Sequence, residues 1–157
     1  FNYQSEFFKA KDKYPQQKSL FKTNEIENTE RFEPLKLSPL PISFWRQNRC
    51  SHNGPAIYVV MDRPPHLKSY LILYIGETIA AEKRWKGEHD CKNYISSYSE
   101  ALASAGLKSQ LSIRFWADVP KATKPRRKLE QLLIQLWQPP FNKETRERWS
   151  TPFTVDV

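Results

Sequence analysis

Short runs of hydrophobic residues begin just after Gly54 and predict a small sheet. The runs "AIYVV" (56–60) and "YLILYIG" (70–76) are rich in β-branched and aromatic residues and are separated by "MDRPPHLKS". Two such runs around a proline-containing loop are typical of two strands joined by a long hairpin connection. A third run, "LSIRFWADV" (111–119), predicts a third strand.

Three segments show helical patterns. The segments "TIAAEKRWKGEH" (78–89) and "NYISSYSEALASA" (93–105) predict two helices, and Gly106 is placed as the stop of the second. The segment "KLEQLLIQLWQPPFN" (128–142) predicts a third helix that its two prolines end, after a basic turn at 121–128. This order of elements predicts an α+β fold with a small three-stranded antiparallel sheet flanked by helices.

Residues 1–50 have no sustained periodicity. They contain Pro34, Pro39 and Pro41, which favour extended chain. They also contain more aromatic residues than a fully solvated tail would carry. We therefore expect an N-terminal arm (1–50), mostly irregular, that wraps the core or a partner, followed by one domain with a C-terminal extension (51–157).

One charged residue lies on the apolar face of the last predicted helix. Leu129, Leu133 and Trp137 lie on one apolar face at helical spacing, and Ile134 widens that face. At 100° per residue, Glu130 falls inside this face. Placing a carboxylate there costs several kcal/mol unless a partner compensates, so Glu130 is a candidate functional residue.

Composition adds a strong positive charge. The formal net charge is +8 and the isoelectric point is about 9.5. Such an excess favours polyanionic partners, nucleic acid first and an acidic membrane surface second. Cys50 and Cys91 are too few for a disulfide framework, and no run of apolar residues is long enough to span a membrane. We expect an intracellular protein, cytoplasmic or nucleoid-associated, although a chain that begins with Phe1 leaves its native start open.

Five sequence features together resemble one family of enzymes. Ala56-Ile57-Tyr58 and Tyr74-Ile75-Gly76, on consecutive strands, resemble the two signature tripeptides of the GIY-YIG nucleases. Arg84 follows Tyr74 by ten residues, the interval at which that family carries an arginine. Glu130 and the later Asn142 resemble the family's helix-borne glutamate and trailing asparagine. The resemblance covers roughly residues 54–145 and is that of a stand-alone catalytic domain.

The resemblance implies a divalent-metal-dependent endonuclease that hydrolyses phosphodiester bonds in DNA with one metal ion. The implied catalytic side chains are Tyr58, Tyr74, Arg84 and Glu130. Tyr58 would face the attacking water, Tyr74 would orient the water or the phosphate, and Arg84 would bind phosphate oxygens. Glu130 would hold Mg²⁺ or Mn²⁺, which needs few protein ligands. The implied supporting residues are Gly76, His89 and Asn142.

The chain also departs from the family pattern. The first motif has Ala56 where the family prefers glycine, Glu77 stands where many members have lysine, and Glu88 stands where many carry histidine or tyrosine. These departures keep open a second hypothesis, a catalytically weak or inactive nucleic-acid-binding module of the same fold. A third, remote hypothesis is a basic protein whose aromatic residues serve a membrane or protein partner.

Clustered cations predict where nucleic acid would be held. These residues are Lys83, Lys86, Lys121, Lys124, Arg126, Arg127 and Lys128. Contacts from such residues to phosphates are blind to sequence. DNA is the more expected partner than RNA, and restriction, repair and weakly specific cleavage all stay open, as does the oligomeric state.

Ordinary structural roles compete with these assignments. Tyr58 and Tyr74 are also typical strand aromatics, and Arg84 would also fit a solvated helix face. Glu130 has a possible partner in Arg126, four residues earlier.

Overall fold

A computed structural model describes residues 2–13, 24–46, 52–86, 89–149 and 151–153. Three antiparallel strands form the sheet in the order β2–β1–β3, which confirms the predicted fold class. The strands are β1 (Ala56–Asp62), β2 (Leu71–Thr78) and β3 (Ser112–Trp116). The central strand β1 is entirely buried, as its apolar run 56–61 favours, and the buried Asp62 carboxylate at its end accepts from the Tyr98 hydroxyl and the Gln110 N–H.

The register of β1 and β2 places the two signature tripeptides side by side. Tyr58 pairs with Gly76, and Val60 pairs with Tyr74. The next pair is Met61 with Ile72, so Leu73 is the extra residue of a β-bulge. Because Tyr58 and Tyr74 belong to the same alternating set of the ladder, their rings lie on the same face of the sheet.

Each face of the sheet carries its own hydrophobic cluster. One cluster joins β-strand residues such as Ile57 and Val59 to Leu133 and Trp137 of α4 (Thr123–Trp137). The other joins Tyr58 and its same-face neighbours to α3 (Asp90–Ser104). A short helix, α5 (Arg146–Trp149), follows α4. The sheet is therefore sandwiched between helices.

Helix α3 ends where the sequence predicts. Its last residue is Ser104, and Gly106 adopts φ 71°. The Gly106 N–H donates to the Ala103 carbonyl and the Leu107 N–H to the Leu102 carbonyl. This is the Schellman arrangement, in which a left-handed residue after the helix, most often glycine, satisfies the last carbonyls.

The helix predicted at 78–89 is wrong for the part of it that the structure describes. Strand β2 continues to Thr78, and residues 79–86 form turns. The reason is tertiary: the Ala81 N–H donates to the Gly54 carbonyl, and the Glu82 carboxylate accepts from the Gly54 N–H. These bonds fix the segment against the start of β1 and bury Trp85 completely.

The basic turn predicted at 121–128 is also wrong, because α4 begins at Thr123 and includes most of it. Pro125 lies in the first turn, where the backbone N–H has no partner within the helix, so proline is tolerated there.

The N-terminal arm is irregular only in part. It contains α1 (Asn2–Lys13), α2 (Asn24–Glu30) and two 3-10 helices, Pro34–Lys36 and Phe44–Arg46. It does wrap the core, since Phe8 and Phe32 join one hydrophobic cluster and Phe44 joins the other. Among the described helices, none has the length and apolar character that crossing a bilayer requires.

Candidate functional site

A cleft of about 390 Å³ opens beside the edge strand β2. Its wall combines β2, the 79–86 segment, the start of α3, α4 and the turn after α4. The lining residues are Tyr74, Arg84, His89, Asp90, Tyr94, Glu130, Phe141, Asn142, Lys143 and Glu144. The cleft thus brings together five residues that the sequence singled out.

Tyr58 lies behind the cleft and does not line it. Its side chain is completely buried, and its ring centroid is 6.0 Å from that of Tyr74. Burial raises the pKa of Tyr58 well above its ordinary value, and the charge of Arg84 only partly opposes this. The expectation that Tyr58 faces an attacking water does not match this position, whereas Tyr74 is half-buried and reaches the cleft.

Gly76 is required by the position of Tyr58. A Cβ atom built on Gly76 would lie 2.3 Å from both Cζ and the hydroxyl oxygen of Tyr58. The phenol ring therefore lies directly across the glycine on the neighbouring strand. Gly76 supports the site by leaving the space that Tyr58 fills.

His89 is fixed as a hydrogen-bond donor toward Tyr58. Its Nδ1 accepts from the Cys91 N–H at 3.1 Å, where His89 caps the start of α3. A neutral imidazole that accepts at Nδ1 carries its proton on Nε2. The Nε2 atom lies 3.0 Å from the Tyr58 hydroxyl oxygen and therefore donates to it. Burial, followed by the charge of Arg84, lowers the pKa of His89 to about 4, so the ring is neutral at pH 7.

Arg84 extends from the 79–86 segment into the cleft. Its Cζ lies 5.9 Å from the ring centroid of Tyr58, within range of a cation–π contact. Its Nε is buried, and no described residue accepts a hydrogen bond from it. The guanidinium is thus a cation in the wall of the cleft.

Glu130 enters the cleft from α4 and is held by the backbone of β2. Its Oε1 accepts from the Glu77 N–H at 3.0 Å. Within the described residues, no donor forms a hydrogen bond to Oε2 of Glu130. Burial and then the charge of Glu77 raise the pKa of Glu130 to about 7. The proposed ion pair of Glu130 with Arg126 is absent from the described contacts.

Arg126 and Glu77 have structural roles, which corrects the assignment of Arg126 to nucleic-acid binding. Arg126 is completely buried, and its Nε donates to Glu77 Oε2 at 2.8 Å. Its Nη1 donates to the carbonyls of Pro120 and Lys121. Arg127 also pairs with Glu77, at 3.2 Å. The unexpected glutamate after the second tripeptide therefore joins β2 to the first turn of α4.

Asn142 supports the edge of the sheet. Its Oδ1 accepts from the Ile75 N–H at 2.9 Å, and its Nδ2 donates to the Ile75 carbonyl at 2.8 Å. The side chain thereby imitates a neighbouring strand at the unpaired edge of β2. Asn142, which the resemblance implies as a supporting residue, therefore holds the turn after α4 against β2.

The remaining predicted cations are exposed but do not line the cleft. These residues are Lys83, Lys86, Lys121, Lys124, Arg127 and Lys128. Lys83 and Lys86 flank Arg84 in sequence, and Arg127 is tied to the site through Glu77. Glu88 lies outside the described residues.

Several cleft residues had no signal in the sequence. Asp90 and Tyr94 are one turn apart on α3, and Lys143 and Glu144 directly follow Asn142. Only the proximity of the last two to Asn142 could have indicated them. Asp90 and Tyr94 could be identified only from the structure, in which the start of α3 lies at the cleft.

The cleft offers few protein ligands to a hard divalent cation. Within the described residues, no group of three or more His, Cys, Asp or Glu side chains is arranged to hold a metal ion. The Glu130 carboxylate, fixed by the Glu77 N–H, nevertheless offers one oxygen ligand, and Mg²⁺ keeps several of its waters and needs few protein ligands. Comparison of the chain with protein-family models, with curated protein sequences and with solved structures finds no significant match.

Proposed function

We propose that this protein is a GIY-YIG-type endonuclease that hydrolyses phosphodiester bonds in DNA with the help of one divalent cation. The supporting observation is that Glu130 of α4 lines one cleft with Tyr74 of β2 and Arg84 of the 79–86 segment, although it lies far from both in sequence. A phenol, a guanidinium and a carboxylate are the groups that orient water, bind a phosphate and hold a cation.

Each side chain has a defined task in this proposal. Arg84 binds the non-bridging oxygens of the scissile phosphate, because its guanidinium lines the cleft. Tyr74 orients the attacking water, because it is the phenol that reaches the cleft. Tyr58 and His89 hold Tyr74 from behind through ring contacts.

Glu130 holds the cation, either Mg²⁺ or Mn²⁺. When bound, the cation supplies charge neutralisation at the phosphate and lowers the pKa of nearby water. The bond from the Glu77 N–H fixes the direction of the Glu130 carboxylate before any ligand arrives. Burial raises the pKa of both Tyr58 and Tyr74 above the ordinary value, and the charge of Arg84 opposes this only in part.

The second candidate is a nucleic-acid-binding module that does not cut. The burial of Tyr58 favours it, because a phenol with a strongly raised pKa and no access to the cleft cannot take a proton from water. Both candidates bind nucleic acid, so cleavage decides between them.

The first prediction concerns Glu130→Gln. The parent protein should nick supercoiled plasmid and cut at least one of duplex, flapped or four-way DNA with Mg²⁺ or Mn²⁺, and EDTA should stop it. Glu130→Gln should reduce the rate at least ~100-fold while DNA affinity measured by anisotropy is retained. Glu100→Gln, an exposed glutamate of α3, is the matched control and should cut like the parent.

One result would remove Glu130 from the mechanism, and another would decide against the nuclease itself. Cleavage by Glu130→Gln at the parental rate would remove the proposed metal ligand. A parent that binds these DNAs but cuts none of them, nor RNA, with either metal would favour the binding module.

A further inference from the structure

The cleft beside β2 continues into a second depression of about 230 Å³. Three residues line both: Asp90, Tyr94 and Lys143. Two further residues line only the second: Asn93 on α3 and Arg146 at the start of α5. The two depressions therefore form one continuous concave surface that leads away from Glu130.

The charge of this surface changes along its length. The first cleft contains three carboxylates against two permanent cations, with His89 neutral. The second depression contains Lys143 and Arg146 against the single carboxylate of Asp90. Because Asp90 and Lys143 line both depressions, the difference lies in Arg84, Glu130 and Glu144 on one side and Arg146 on the other, and the surface becomes more basic away from Glu130. A phosphodiester chain laid along the surface would meet first the cation and then these two basic side chains.

The turn that carries Lys143 and Arg146 is rigidly placed. The Asn142 carbonyl accepts from the Thr145 N–H at 3.2 Å and from the Arg146 N–H at 2.8 Å. The Asn142 side chain is itself bonded to Ile75 of β2. Lys143 and Arg146 both line the second depression, so they can act together on one ligand.

Lys143 can exchange its present partner for a phosphate at little cost. Its Nζ lies 4.0 Å from Asp90 Oδ2, and both side chains are mostly exposed. An exposed ion pair at that distance contributes little to stability.

Tyr94 adds an aromatic surface between the two depressions. It is half-buried, and its ring is braced against Phe141 with centroids 6.0 Å apart. A braced ring beside two cations is the combination that binds an unpaired nucleotide, since the base stacks on the ring and the phosphate meets the cations. Paired bases inside a duplex are already stacked and have less use for such a ring.

We propose that the second depression is a subsite for one unpaired nucleotide adjacent to the scissile phosphate, with its base on Tyr94 and its phosphate at Lys143 and Arg146. This assignment rests on the proposed nuclease function and specifies its substrate class: DNA with a single-stranded branch or flap at the cleavage point. Fully paired DNA would leave the subsite unused.

Binding in EDTA tests the subsite without cleavage. Fluorescence anisotropy is measured with a labelled blunt duplex and with the same duplex carrying a single-stranded flap. The parent should bind the flapped DNA about tenfold more tightly than the duplex. The double variant Lys143→Gln/Arg146→Gln should lose that preference and show a smaller salt dependence on flapped DNA. Lys108→Gln, an exposed lysine beyond the opposite end of α3, is the control and should behave like the parent.

Tyrosine variants separate stacking from charge. Tyr94→Leu should reduce affinity for flapped DNA severalfold and leave duplex affinity unchanged, whereas Tyr94→Phe, which keeps the ring, should retain the preference. Thermal melting establishes that each variant is folded, and the surface double variant decides the matter if Tyr94→Leu is not.

The two proposals fail separately. Equal affinity of the parent for both DNAs, or an equal loss on both DNAs in the double variant, would overturn the subsite even if Glu130-dependent cleavage is found. A flap preference that depends on Lys143, Arg146 and Tyr94 in a protein that cuts nothing would sustain the subsite and overturn the nuclease.

Discussion

At the scale of single residues, the site depends on one missing side chain. Gly76 has no Cβ, and the ring of Tyr58 occupies the space that a Cβ would need. The ring cannot retreat easily, because it also packs edge-on against Trp85, with centroids 5.8 Å apart, and both residues are completely buried. The glycine of the second tripeptide is thus explained by packing, without reference to catalysis.

Gly76→Ala should therefore displace Tyr58 and disturb the cleft. Overpacking of this kind costs about 1–3 kcal/mol of unfolding free energy, and we expect at least a tenfold loss of cleavage. Urea denaturation and a plasmid-nicking assay measure the two effects.

Gly106→Ala is the matched control. Its φ of 71° makes a side chain unfavourable by about 1–2 kcal/mol, but no atom lies within 4 Å of the added Cβ. It should lose stability and retain activity. If Gly76→Ala instead kept full activity, the phenol of Tyr58 would have no role in the site.

Glu130 sets a pH dependence, because its pKa is raised from 4.5 to about 7 in the folded, metal-free protein. A raised carboxyl pKa means that folding favours the protonated form. The stability it contributes is full below pH 4.5 and is lost as the pH rises toward 7. A cation must displace the same proton, so Mn²⁺ affinity should rise about tenfold per pH unit below pH 7 and level off above it.

Calorimetric titration of Mn²⁺ at several pH values between about 5.5 and about 8.5 measures this dependence. Glu130→Gln has no proton to displace and should show weak binding without the slope. An identical slope in Glu130→Gln would assign the titration to another group.

At the scale of elements, what the sequence predicted well was the part controlled by local pattern. The three strands were predicted from β-branched runs, and Gly106 marked the end of α3. The 79–86 segment was not predictable in this way. It has helical composition, yet bonds to Gly54, a residue more than twenty positions away, hold it in turns. Composition over a short window contains no information about such a partner.

The residues of the candidate site also differ in how well the sequence predicted them. Tyr74, Arg84, Glu130 and Asn142 were named from the family resemblance of the sequence, and the structure brings them together. Arg126 was misassigned because a run of basic residues looks solvated from sequence. Its burial depends on Glu77, which lies 49 residues away. Ion pairs between distant elements are set by tertiary packing, which neither motif nor composition encodes.

The edge strand β2 shows how separate elements complete one another. Its outward backbone groups are satisfied by three side chains: Gln4 at Ile72, Asn142 at Ile75 and Glu130 at Glu77. The Phe141 N–H also donates to the Leu73 carbonyl. An edge satisfied in this way offers few free groups to another strand. The same contacts fix Glu130 and Asn142 at the cleft, so edge protection and site construction share residues.

At the scale of the whole molecule, the N-terminal arm is joined to the sheet by buried polar contacts. Gln4 of α1 is almost fully buried. Its Nε2 donates to the Ile72 carbonyl at 2.9 Å and to the Trp137 carbonyl at 3.2 Å, and its Oε1 accepts from the Ile72 N–H at 2.6 Å. One amide thus connects α1, β2 and the end of α4, and Phe8 adds apolar contact beside it. We infer that the arm and the sheet unfold as one cooperative unit.

Gln4→Ala tests whether the arm and the sheet unfold cooperatively. The substitution leaves the backbone groups of Ile72 and the Trp137 carbonyl without their partner, and each unsatisfied buried group costs about 1–3 kcal/mol. We expect the unfolding free energy to fall by about 2–4 kcal/mol, in a single transition that circular dichroism and tryptophan fluorescence report at the same urea concentration. Glu6→Ala, an exposed position on the same helix, should change stability by no more than about 0.5 kcal/mol. Two separate transitions, or equal stability of the two variants, would mean that α1 docks on the sheet without contributing to its folding. The coincident transition is expected because Gln4 bonds to the very strand that carries Tyr74 and Gly76, so loosening α1 exposes the edge from which the cleft is built.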